Sequence, residues 1–209
     1  MTLATWLTFM LAAWAISFSP GAGALSAMTS GLRYGFARGY WNTAGLILGI
    51  MFQLAVVGVG LGTLLATSET AFAIVKYVGV AYLIYLGWRQ FRAEHAPVTV
   101  DGEANALESR RSLILRGFLI NASNPKGTVF LLAVVPQFID AAHPLAGQYA
   151  AIAATMALTD TVAMAFYTLL AAKVLRLMRD PAHIKWMNRA FGTLFMVAGV
   201  LLALFRRSH

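Results

Sequence analysis

Two short stretches of this 209-residue chain place polar side chains beside helix breakers: Ser19-Pro20-Gly21-Ala22-Gly23 and Asn121-Ala122-Ser123-Asn124-Pro125-Lys126-Gly127. Proline removes a backbone donor and clashes with the preceding turn, while glycine tolerates dihedrals closed to other residues. Both stretches lie within long apolar runs, where a hydrocarbon solvent cannot satisfy the backbone groups a break sets free. Neighbouring polar side chains or a bound solute must do so, and broken helices of this kind build solute sites at mid-membrane. The plainer reading of Pro20 is an ordinary kink. It fits Asn124-Pro125-Lys126 less well, because a lysine near the middle of a span costs roughly 2.5–3.5 kcal/mol on insertion scales. Pro20, Gly21, Gly23, Asn121, Asn124, Pro125 and Lys126 are therefore the candidate binding or helix-break residues.

Asp160, in Ala157-Leu158-Thr159-Asp160-Thr161, is the one acid deep in an apolar run. Paired with Lys126 it would cost far less than either charge alone. Such a pair is either a static tie between two helices or a switch that a proton arriving at Asp160 would weaken. The second reading makes Lys126 and Asp160 the coupling residues and a proton the coupling ion. Gln53 should face the bundle interior, lining the site or tying two helices. Asn42 and Gln137 sit near span ends, where water is available. No metal-ligand spacing is present: His95, His143, His183 and His209 all lie outside the deep spans, and there is no cysteine. Without a nucleophile and its base at one depth, an enzyme is not expected, nor is any cofactor.

The elements that must hold these residues are membrane helices. Hydrophobic residues make up 59% of the chain and charged residues only 11%, against about 25% charged in a soluble domain. Apolar runs at 3–28, 41–66, 71–88, 113–139, 147–172 and 187–205 are each near or above the roughly 20 residues a helix needs to cross hydrocarbon. They are continuous rather than alternating, which excludes a barrel. The expected fold is thus an all-α integral membrane protein of six transmembrane helices, helices 1 and 4 being interrupted at Pro20-Gly21 and Asn124-Pro125. Small residues four apart (Gly45 and Gly49, Gly58 and Gly62, Ala153 and Ala157, Gly199 and Ala203) suit close helix approach.

Charge sets the direction. Twelve of the sixteen basic residues fall in three alternate loops: Arg33 and Arg38; Arg89, Arg92, Arg110, Arg111 and Arg116; Lys173, Arg176, Arg179, Lys185 and Arg189. The positive-inside rule puts these loops in the cytoplasm and both termini outside. That placement of the basic residues, rather than nucleic-acid binding, accounts for the net charge of +8. The first segment has no basic residue before it and reads as a retained span rather than a signal peptide. A polar linker at 89–112 separates a first three-helix repeat, 1–88, from a second, 113–209. Three crossings per half make the halves opposite in direction, a 3+3 inverted repeat.

These stretches resemble the LysE/RhtB family of amino-acid exporters along essentially the whole chain. The resemblance rests on Ser17-Phe18-Ser19-Pro20-Gly21-Ala22-Gly23-Ala24 with Met28-Thr29-Ser30, on the run from Lys76 through Gly87, and on Asn121-Ala122-Ser123-Asn124-Pro125-Lys126 followed by Val135-Pro136-Gln137-Phe138-Ile139. Phe191-Gly192-Thr193-Leu194-Phe195-Met196 adds to it. Ala22 stands where many members carry a second proline, as in the homoserine subgroup. The resemblance implies secondary transport out of the cytoplasm across a bacterial inner membrane, by proton antiport. The implied cargo is homoserine, its lactone, threonine or a similar small neutral amino acid. A leucine-like or basic amino acid, or passive channel flow, is the alternative. The solute carboxylate would meet free backbone donors near Pro20-Gly21, or Lys126, with Asn121 and Asn124 orienting its amine or hydroxyl. The partners are then a small solute and the lipid bilayer, with no nucleic acid. Assembly as a homo-oligomer is left open.

Overall fold

A computed structural model describes residues 3–92, 108–140, 142–171, 173 and 180–204. Among the described residues seven helices follow one another: α1 (Leu3–Phe18), α2 (Ala22–Thr67), α3 (Glu69–Arg92), α4 (Arg110–Ala122), α5 (Pro125–Phe138), α6 (Leu145–Leu169) and α7 (Pro181–Leu204). The architecture is an all-α, multi-pass helical bundle. Ala22–Gly62 and Leu145–Leu169 are long and apolar enough to cross a bilayer, and α4 with α5 makes a third span if the 55° bend between them is counted within one.

The breaks fall where local chemistry requires them. Helix α1 stops at Phe18, just before the proline that cannot continue it. Helix α4 stops at Ala122, and α5 restarts with Pro125 in its first turn and the Asn124 side chain accepting from the Lys126 backbone N–H at 3.1 Å. Ser109 caps α4 in the same way, accepting from Ser112 N–H. Before α7, the Asp180 carboxylate accepts from Ala182 N–H at 2.8 Å and pairs with His183. These contacts, the Ala182 bond foremost, hold its carboxyl below the ordinary carboxylate range.

The basic loops are shorter than expected: Arg89 and Arg92 end α3, Arg110, Arg111 and Arg116 lie on α4, and Lys185 and Arg189 lie on α7. The arginine-bearing stretch 25–38 is not a loop. It is helical on both sides of Gly35, whose φ of 69° and ψ of 175° turn the chain within α2. Position 39 comes back against Ser30, and Ser26 Oγ donates to Asn42 Oδ1 at 3.2 Å, so α2 is a hairpin of two arms. Arg33 and Arg38 therefore sit on helix ends rather than on an extended connection. A single left-handed glycine reverses the chain, and the surrounding composition gives no sign that the turn is so short. Of the expected linker 89–112, residues 93–107 lie outside the described residues, as do Arg176, Arg179, His95 and His209.

Packing is closest where glycines meet backbone. A Cβ at Gly45 would run into the Ile114 carbonyl, and one at Gly117 into the Asn42 carbonyl, so α4 lies directly on the second arm of α2. A Cβ added at Gly49 would meet Ala122 N at 2.8 Å and so continues that seam, whereas one at Gly62 would meet nothing within 4 Å. Gly87 and Gly192 form a similar seam between α3 and α7. Phe9, Phe130, Leu131, Val134, Ile152 and Met156 make the central core, joining α1, α5 and α6. Leu11, Val59, Leu158 and Leu169 are exposed, as residues facing lipid would be. Gly117→Leu must part the α2–α4 seam. Overpacking costs about 1–3 kcal/mol or more, so the detergent-solubilised variant should melt well below the parent. Gly147→Leu, at a site with nothing within 4 Å, should melt with the parent.

Candidate functional site

The break after α1 leaves three successive carbonyls without helical partners, and long-range side chains take them. Tyr167 of α6 donates its hydroxyl to Phe18 O at 2.6 Å. Lys126, from the start of α5, directs its ammonium at Ser19 O (3.2 Å), Ser19 Oγ (2.6 Å) and Pro20 O (3.3 Å). One residue before Phe18, Ser17 Oγ donates to Asp160 Oδ1 at 2.6 Å. The break is thus held by a cation, an anion and a phenol from the other half of the chain.

The second break is held in the opposite sense, by α2. The Gln53 amide nitrogen lies 3.3 Å from Ala122 O, 2.9 Å from Asn124 O and 2.7 Å from Thr128 Oγ1. Asn121 donates to Leu46 O at 2.7 Å, and the Asn124 amide leans on Asn121 Oδ1 at 3.5 Å. Gln53 is 3% exposed and stands behind Gly127, where an added Cβ would meet its carbonyl oxygen at 2.5 Å.

Between the two breaks lies a cavity of about 60 Å3. Gly21, Gly23, Asn121, Asn124, Lys126 and Asp160 all line it, so six of the sequence candidates converge on one space. Pro20 and Pro125 shape the breaks without lining the cavity, and Gln53 braces one from behind. Ser17 and Ser19 complete the polar wall, with Ile16, Leu46, Ile50, Met156 and Met164 as the apolar one. The cavity volume is several times the roughly 10–15 Å3 that a single water needs.

Lys126 and Asp160 face the same cavity but do not form the expected pair. Asp160 instead grips Ser17 of α1 and Lys126 grips Ser19 just beyond it, so the Ser17–Pro20 segment serves both. The carbonyls of Ser19 and Pro20 are acceptors engaged by Lys126. The nearest backbone donors belong to the first turn of α2, where Gly23 and Ala24, with Gly21 just before it, line the cavity. Sequence reasoning missed Ser17, Ser19, Tyr167 and the two methionines. Helical spacing offered a signal for three of these: Met156 and Met164 lie one turn either side of Asp160, and Tyr167 lies two turns on.

Residues 14–205 match the family model described as LysE type translocator. The chain belongs to the LysE/RhtB family. It is 40% identical over 204 residues to the homoserine/homoserine lactone efflux protein of Salmonella typhimurium, covering 97% of this chain and 98% of that one. An uncharacterized membrane protein of Vibrio cholerae is 37% identical over 203 residues, with coverage of 97% and 98%. A leucine efflux protein of an Enterobacter species is 26% identical over 202 residues, covering 94% and 93%. No solved structure matches the chain. Like other LysE/RhtB members, this chain is a multi-pass transporter of the bacterial inner membrane and not an enzyme.

Proposed function

We propose that this LysE/RhtB transporter exports homoserine, homoserine lactone and similar small neutral amino acids such as threonine by secondary active proton antiport. The observation that carries the reading is one cavity with a single cation and a single anion on its walls, Lys126 and Asp160, that are not spent on each other. A zwitterion matches them, its carboxylate toward Lys126 and the first turn of α2, its ammonium toward Asp160. Ile16, Ile50, Met156 and Met164 leave an apolar wall for a short side chain. An ammonium and a proton cannot both occupy one carboxylate, and that exclusion is the physical basis of antiport. The 40% identity to the Salmonella homoserine/homoserine lactone efflux protein supports the choice of cargo.

The same reading gives six spans. They are α1 with the first arm of α2, the second arm of α2, α3, α4 with α5, α6, and α7. Each half opens on a broken helix, and the second span of each half braces the other half's break, Gln53 in one case and Asp160 with Tyr167 in the other. That reciprocity supports a 3+3 inverted repeat. The basic residues at 33 and 38, around 89–116 and at 173–189 favour both termini outside.

Proteoliposomes loaded with labelled homoserine, threonine, leucine or lysine test the proposal with and without a proton gradient. Homoserine movement driven by acid on the periplasmic face is expected. Leucine moving in its place would keep the mechanism and reassign the cargo. Equal movement with and without the gradient would point to passive flow and overturn antiport.

A further inference from the structure

The cavity charges act on one short piece of backbone from two sides. Tyr167 holds Phe18 O with a neutral donor. Immediately before that point, Ser17 is drawn to Asp160. Immediately after it, Ser19 and Pro20 are drawn to Lys126. We propose that the Ser17–Pro20 segment is the coupling element of the transporter, pivoting at Phe18 as Asp160 and Lys126 grip or release it, with Ser17 and Ser19 as the positioning residues. The inference rests on the proton-antiport reading but not on the identity of the cargo.

The chemistry of each grip supports the pivot. A hydrogen bond to an ionised carboxylate is about twice as strong as a neutral one, so a proton on Asp160 weakens the hold on Ser17. The same hydroxyl has a second acceptor in reach, Thr159 Oγ1 at 3.1 Å. A carboxylate entering the cavity draws the Lys126 ammonium away and releases Ser19 Oγ with the carbonyls of Ser19 and Pro20. Proton and solute thereby loosen opposite ends of one segment that Tyr167 keeps anchored. Around Asp160, α1 contributes Ser17 and α6 its own Thr159. Lys126 of α5 is the other charged group on the cavity wall; α2 supplies Gly23, Ala24, Leu46 and Ile50, with Gly21 just before it, and α4 supplies Asn121. No further titratable side chain lines the cavity among the described residues.

The chain contains no cysteine, so a single introduced thiol reports without background. Ala24→Cys places it on the cavity wall. Its maleimide labelling in proteoliposomes, normalised at each pH to the exposed Gly147→Cys, is expected to change severalfold between acidic and alkaline pH without any solute. Ser17→Ala should flatten that response and Ser17→Thr, which restores a hydroxyl, should return it. Ser19→Ala should keep the pH response while losing the change that added homoserine causes. A pH response in Ser17→Ala equal to the parent's, or none in the parent, would overturn the proposal. So would rescue of gradient-driven transport in the charge-exchanged double variant Lys126→Asp with Asp160→Lys, since only a direct pair survives that exchange. A pH response that follows Ser17 in a protein moving no homoserine would leave the coupling standing and remove only the cargo.

Discussion

Asp160→Asn should leave the protein inserted and folded but unable to accumulate solute against a gradient. Asparagine keeps an oxygen for the Ser17 hydroxyl, which now donates to Asp160 Oδ1 at 2.6 Å, so the end of α1 stays tethered. The variant also removes an anion from the membrane interior and so should insert at least as readily. What it lacks is a group that takes up and gives back a proton, and with the lost charge it holds the solute ammonium more weakly, so exchange is read at saturating homoserine. A pH unit of gradient is worth about 1.4 kcal/mol, which sustains about a tenfold solute ratio for one proton per solute. The parent should approach that ratio with acid on the periplasmic face and lose it when the gradient is abolished. Asp160→Asn should show no ratio at any gradient, while exchanging labelled for unlabelled homoserine across the membrane, a process with no net proton movement. Gradient-driven export by this variant would take Asp160 out of the proton path.

Lys126→Gln should separate two cargoes that the parent handles together. Homoserine carries a carboxylate and an ammonium; its lactone keeps the ammonium but has closed the carboxylate into a ring ester. A hydrogen bond to a charged partner contributes about 1.5–3 kcal/mol. The KM for homoserine should therefore rise by about 10- to 150-fold, and that for the lactone far less. The lost hold on Ser19 and Pro20 affects both cargoes alike, so the ratio of the two KM changes is the informative quantity. Equal losses for both would make Lys126 a structural tie to the α1 break rather than the carboxylate contact. Removing the charge also lowers the cost of insertion, so poor expression is not expected to obscure the comparison.

Several of these features were legible in the residues because they depend on short-range physics. Proline beside glycine or asparagine favours a helix end, and α1 and α4 do stop within two or three residues of Pro20 and Pro125. A hydrophobic share of 59% with so few charges leaves lipid as the solvent whatever the fold. Lys126 and Asp160 stood out because a charge in an apolar run is costly and must be used. The capping role of Asn124 follows from an asparagine just before a proline-led helix.

Other features depended on which helices lie against which, and local pattern carries no record of that. The hairpin at Gly35 was hidden in a stretch whose arginines suggested a loop, because one positive φ does the turning. Gln53 looked equally suited to lining a site or tying helices, until α4 packed on α2 along Gly45 and Gly117 and brought the freed carbonyls of Ala122 and Asn124 within its reach. Lys126 and Asp160 were the obvious pair by charge alone. The end of α1 lies between them, and hydroxyls and carbonyls at 2.6–3.3 Å satisfy both. Tyr167 meets Phe18 across 149 residues of sequence. The sequence by itself determined the membrane class, the two breaks and the two charges, since each follows from the cost of a residue in its immediate surroundings. Only the tertiary structure decided what each freed group bonds to, because that is set by packing between segments far apart in the chain.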